Sequence, residues 1–179
     1  DMAVGRIPAQ TAQQVKDVVA KTLAYETDTT AAQWDGRALF VADNEKEGFQ
    51  TIADNLAANA LPASYQVDKV YLGSSEDPTD QIVKALDEGV GLVTYVGHGS
   101  MNVWGKDKMF QISDSDALNN SKLPFMMTMT CLAGYFHHPT ATSMGEELLL
   151  NPKGGIVAGL MPTSESLASD QTELATNVY

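Results

Sequence analysis

Two short stretches constrain this chain more than anything else in it: Val90–Ser100, VGLVTYVGHGS, and Leu123–Phe136, LPFMMTMTCLAGYF. Each is an apolar run that stops at a reactive side chain close to glycine, His98 in the first and Cys131 in the second. Runs that are apolar throughout, and not in alternation, read as strands buried on both faces of a parallel sheet. In open α/β sheets the ligand lies beyond the carboxyl ends of the strands, and both side chains sit at that end. The expectation is that the two strands are neighbours, so that an imidazole and a thiol meet at one rim.

Composition narrows what such a rim can serve. The chain has 179 residues, enough for one domain with a sizeable core. Its apolar content of 44% and charged content of 19% are those of a globular protein. The net charge of −12 leaves no basic stripe to neutralise phosphates, which argues against a nucleic-acid surface. A single cysteine rules out an internal disulfide and says little about compartment. No run approaches the length of a membrane span, and Asp1 opens no cationic-then-apolar leader. No membrane insertion is therefore expected.

Taken in order, Asp1–Pro8 reads as the tail of something preceding, and residues 1–10 as a linker. Thr11 and Gln14 form a capping box, and Val15, Val18, Val19 and Leu23 follow at helical spacing, predicting a helix over 11–26. Arg37–Asn44 reads as a strand. Phe49, Ile52, Leu56 and Ala60 mark a helix covering the sheet, and Tyr65–Leu72 a second strand. Asp77-Pro78 starts a helix that Gly89 stops. After the histidine run, 101–121 reads as a polar connection contributing to the rim. Ser143 with Glu146 caps a Leu-rich helix ending near Pro152, Gly155–Met161 reads as a buried strand, and 166–179 as helical. Strand and helix alternate, which implies right-handed crossovers and a doubly wound sheet.

The chemistry follows from the two side chains. A thiolate attacks carbonyls, and a nearby imidazole both assists its ionisation and protonates the leaving amine. Alone, a cysteine in an apolar strand is more often a small core residue, and a lone histidine is usually structural. Gly97 and Gly99 around His98 suit tight turning and close approach. Cys131 comes at a strand end, and Gly134 follows in the loop.

GHGSMNVWG at 97–105 and TCLAGYF at 130–136 resemble the two signature segments of the gingipain-type cysteine peptidases. The likeness extends over nearly the whole chain: DMAVGR at the start, KTLAYE at 21–26, the strand at 37–45 and GEEL at 145–148. It implies a caspase-like α/β fold, a three-layer sandwich with a mainly parallel, doubly wound sheet. It implies a cysteine endopeptidase acting on protein or peptide substrates through a thioester. His98 would be the base and acid and Cys131 the nucleophile. The N–H groups of Gly99 and Cys131 would form the oxyanion hole, and Glu45 would orient His98. Ser100, Trp104, Met161, Thr163 and Glu165 would border the substrate. The chemistry needs no cofactor. The resemblance also implies structural calcium, a secreted or cell-surface location, and flanking domains on the same polypeptide.

There are departures. Arginine-specific members carry an acid early in the helix after the first strand, where this chain reads Glu47-Gly48-Phe49, so cleavage after arginine does not carry over. His137-His138 replaces a small polar loop, although vicinal imidazoles rarely converge on one metal ion. The acidic groups at 43–47, 76–80 and 114–116 offer oxygen ligands of the kind calcium takes, without a defined set. Two other functions stay open: a sortase-like transpeptidase of a bacterial secretion system, and a caspase-like binding module with no turnover.

Overall fold

A computed structural model describes residues 4–44, 48–73 and 76–179. Five strands form one sheet: β1 (Arg37–Ala42), β2 (Gln66–Tyr71), β3 (Leu92–Val96), β6 (Phe125–Met129) and β7 (Ala158–Leu160), in the order β2-β1-β3-β6-β7. Every pairing among them is parallel. A small antiparallel hairpin, β4 (Val103–Trp104) with β5 (Phe110–Gln111), follows β3. The helices are α1 (Ala12–Glu26), α2 (Phe49–Asn59), α3 (Pro78–Glu88), the single turn α4 (Ile112–Ser115), α5 (Met144–Leu150) and α6 (Ala168–Val178).

The strand side chains alternate between two cores. On β1, Leu39 and Val41 join Val93 and Tyr95 of β3, Ile82 and Leu86 of α3, and Met144 and Leu148 of α5. Ala38, Phe40 and Ala42 point the other way, to Phe49, Ala53 and Leu56 of α2 and Ala175 of α6. Helices on both faces of a central parallel sheet make the three-layer α/β sandwich expected from the sequence.

The helix starts follow their capping residues. Thr11 accepts from the Gln14 N–H while Gln14 bonds back, Asp77 accepts from the Thr79 N–H ahead of Pro78, and Ser143 and Glu146 cap α5 reciprocally. The end of α5 is closed from outside the helix. The Lys21 ammonium of α1 donates to the carbonyls of Leu148 (3.4 Å), Leu149 (3.0 Å), Asn151 (3.0 Å) and Gly154 (2.7 Å). Burial lowers this amine to about 8, which still leaves it charged at neutral pH.

Three segments differ from the sequence expectation. Of the α1 stripe only Val18 is buried; Val15, Val19 and Leu23 stay exposed. The 101–121 connection is not a polar rim but holds the hairpin and α4, with Trp104, Met109 and Phe110 fully buried. The run at 155–161 yields only three strand residues, all exposed because β7 forms the sheet edge.

Candidate active site

The register between β3 and β6 pairs Val96 with Met129. His98 and Cys131 each lie two residues further on, so they hold matching positions past the carboxyl ends of adjacent strands. Both side chains emerge on the sheet face carrying α2 and α6. The His98 ring meets the Phe49 ring of α2 edge-on, with centroids 5.1 Å apart, and Cys131 Sγ lies 3.8 Å from the Ser166 carbonyl just ahead of α6. The His98 residue is exposed and Cys131 half-buried, so solvent and ligands reach the rim.

Packing from the opposite face sets the histidine hairpin. Tyr95 stacks on Trp104 at 4.5 Å with the rings 3° from parallel, and its hydroxyl donates to the His98 carbonyl at 2.5 Å. Gly105 N–H donates to the same carbonyl at 2.7 Å. Trp104 is therefore a core residue whose side chain offers a substrate no surface, which corrects its expected place at the cleft.

The bracketing glycines answer to packing and not to backbone torsion, since neither has positive φ. A Cβ on Gly97 would lie 2.5 Å from the Tyr95 hydroxyl and 2.7 Å from Asp43 Cβ. One on Gly99 would lie 2.5 Å from Thr130 Oγ1 and 2.9 Å from the Val103 carbonyl.

Two backbone donors are left over at this rim. Gly99 faces Trp104 at a non-hydrogen-bonded position of the hairpin, because the flanking bonds run from Ser100 N–H to Val103 O and from Gly105 N–H to His98 O. Its own N–H therefore points away from the partner strand. The β3–β6 ladder ends where Gly97 N–H meets the Met129 carbonyl at 3.2 Å, and the next rung, from Cys131 N–H to Gly97 O, is not made. Neither donor has an acceptor among the described residues.

Beyond Cys131 the chain turns sharply. Leu132 has φ of 60°, a left-handed conformation that costs a non-glycine residue about 1–3 kcal/mol. Surrounding bonds hold it: Leu132 N–H donates to Ser164 O at 3.2 Å, Gly134 N–H to Pro162 O at 2.9 Å, and Gly145 N–H to Ala133 O at 2.8 Å.

The other expected site residues divide. Met161 and Thr163 line a cleft of about 270 Å³ together with Gly134, Phe136 and the N-terminal stretch around Arg6, whose guanidinium lies 4.5 Å over the Phe136 ring. Glu165 is exposed and outside that cleft, and the Ser100 hydroxyl bonds Asn102 Oδ1 within the hairpin turn. Glu45 lies outside the described residues. His138 Nδ1 accepts the N–H groups of Thr140 and Ala141, while His137 packs on Tyr135 and Phe136. Among the described residues no group of three or more His, Cys, Asp or Glu side chains is placed to hold a metal ion.

Two residues escaped the sequence reading, and a third, Asp43, was read there only as one of an acidic group. Asp43, at the end of β1, is fully buried beneath Gly97 and Gly105, with Oδ1 accepting from Asn44 N–H and Oδ2 unpartnered among the described residues. Its burial is what the sequence did not show, since an acid at a strand end reads equally as exposed. Ser166 and Gln171 both bond the Thr130 carbonyl, and no local pattern announces them.

The family model for peptidase family C25 matches residues 1–179. The chain belongs to peptidase family C25. It is similar to gingipain R2 of Porphyromonas gingivalis, with 29% identity over 146 residues, 76% of this chain and 19% of the relative. With gingipain R2 of strain W83 the identity is 27% over 169 residues, 89% of this chain and 22% of the relative. The chain thus spans about a fifth of the length of these curated relatives. Among solved structures, the Arg-specific cysteine proteinase gingipain R superposes with a TM-score of 0.77 at 25% identity, over 98% of this chain and 44% of that one. A complex of the pro- and mature domains of the Porphyromonas gingivalis protein RgpB gives 0.79 at 25% identity, over 96% and 43%. Family membership thus attaches to a chain whose His98 and Cys131 hold matching positions past the carboxyl ends of adjacent strands.

Proposed function

We propose that this chain carries the catalytic centre of a cysteine endopeptidase that cleaves protein or peptide substrates. One observation carries the reading: His98 and Cys131 hold matching register positions past adjacent strands and project from the same face of the sheet. Membership of family C25 supports it.

The steps follow from the groups at the rim. Cys131 Sγ attacks the scissile carbonyl carbon, its proton passing to the His98 imidazole. The carbonyl oxygen becomes an oxyanion, received by the Gly99 and Cys131 N–H groups. As the tetrahedral species collapses, the C–N bond breaks and the imidazolium protonates the leaving amine, leaving a thioester on Cys131. His98 then takes a proton from water, the hydroxide attacks the thioester, and the acid leaves as the thiol reforms. Glu45 is the acid assigned to orient His98. Similarity to gingipain R2 supports a secreted or cell-surface location.

A peptide-library digest comparing the protein with Cys131→Ala tests this reading. Cleavage products present with the wild-type protein and absent with the variant support it; equal cleavage by both ends it. Adding an amine nucleophile and weighing the products separates hydrolysis from acyl transfer.

A further inference from the structure

The peptide unit between Thr130 and Cys131 is gripped from the far end of the chain. Gln171, in the first turn of α6, donates from Nε2 to the Thr130 carbonyl at 2.6 Å and to Ser166 Oγ at 2.5 Å. Ser166 Oγ in turn donates to the same Thr130 carbonyl at 3.2 Å. Two donors therefore converge on one oxygen and are tied to each other. The segment they belong to touches the nucleophile on both sides, through Ser166 O against Cys131 Sγ and through Ser164 O accepting from Leu132 N–H.

The consequence comes from amide geometry. The Thr130 carbonyl and the Cys131 N–H belong to one planar unit and point in opposite directions. Fixing the oxygen fixes the plane, and so fixes where the Cys131 N–H aims. Donors on the oxygen also polarise the amide and strengthen its N–H as a donor. No ladder bond holds that N–H, so the grip on the carbonyl is what orients it.

We propose that Gln171, acting with Ser166, is a positioning residue for the oxyanion-binding N–H of Cys131. It touches no reacting atom. The proposal rests on the cysteine-peptidase reading and extends it: the α6 helix serves the transition state for acyl transfer and not the thiol itself.

That distinction gives the test. Acyl transfer passes through an oxyanion, whereas alkylation of the thiol by iodoacetamide displaces iodide at a saturated carbon and forms none. In Gln171→Leu kcat on a peptide amide should fall by roughly 10- to 100-fold, with KM near wild type and the rate of Cys131 alkylation unchanged. Ser166→Ala, which removes the weaker of the two donors, should show the same split with a smaller fall. Wild-type kcat in Gln171→Leu overturns the proposal. So does an equal loss of turnover and alkylation, which would mark a structural role. Should Gln171→Leu not fold, Ser166→Ala decides alone: loss of kcat with intact alkylation supports the proposal, and unchanged kcat refutes it. A wild-type protein without Cys131-dependent turnover removes the function reading and this proposal together; wild-type turnover with an indifferent Gln171→Leu removes only the proposal.

Discussion

Adding one methyl group at Gly99 probes the geometry of the rim. In Gly99→Ala the new Cβ would sit 2.9 Å from the Val103 carbonyl and 2.5 Å from Thr130 Oγ1. Ordinary contact needs about 3.5 Å, so the shortfall is roughly 0.5–1 Å. The Thr130 hydroxyl can swing aside, but the Val103 oxygen is backbone, and it accepts from Ser100 N–H at 2.9 Å. The Val103 oxygen belongs to the same hairpin as Gly99, so relief comes by opening that hairpin, which shifts the turn that carries His98. Overpacking of this kind costs about 1–3 kcal/mol, a Tm fall of roughly 3–10 °C for a chain of this length. A misplacement approaching 1 Å between reacting groups costs about 100-fold in rate. Steady-state kinetics on a peptide amide, with a thermal melt on the same samples, read both effects. Gly36→Ala is the control, because a Cβ there meets nothing within 4 Å. Gly99→Ala with the kcat and Tm of the wild type would refute the claim that this glycine fixes the hairpin that places His98.

Two further outcomes test the frame around the site. Lys21→Met strips the ammonium from the four carbonyls at the end of α5; chemical denaturation at pH 7 should show a loss of about 2–3 kcal/mol, since buried carbonyls lose a charged donor, and unchanged stability would contradict that role. Asp54 receives Lys69 Nζ and the Tyr71 hydroxyl, each at 2.6 Å, and both bonds hold its carboxyl below the usual range. A carboxylate lowered in the folded state adds stability above its unfolded pKa and loses it as the pH falls through the folded value. Asp54→Asn should accordingly flatten the acid limb of stability against pH, and an unaltered slope would speak against the pair.

How far the fold was legible depends on whether its cause was local. The strands β3 and β6 were readable because burial on both faces removes any alternation from Leu92–Val96 and Phe125–Met129. Helix starts were readable because Thr11, Asp77 and Ser143 bond donors within three residues of themselves. The hairpin was missed because Trp104 and Phe110 sit on two-residue strands, too short to show a period. The run at 155–161 looked buried because its composition matches a central strand, while its place at the sheet edge is decided by what pairs beside it. At the site, His98 and Cys131 stood out through glycine neighbours and strand ends. Gln171 did not, since its partner lies 41 residues away and only the packing of α6 on β6 brings them together.

In this centre His98 and Cys131 act as one unit. Turnover of a peptide amide by His98→Ala, Cys131→Ala and the double variant measures that. Groups that act together are far from additive, so each single change should abolish turnover as completely as both do. Wild-type turnover in His98→Ala, or losses that multiply in the double variant, would contradict the account.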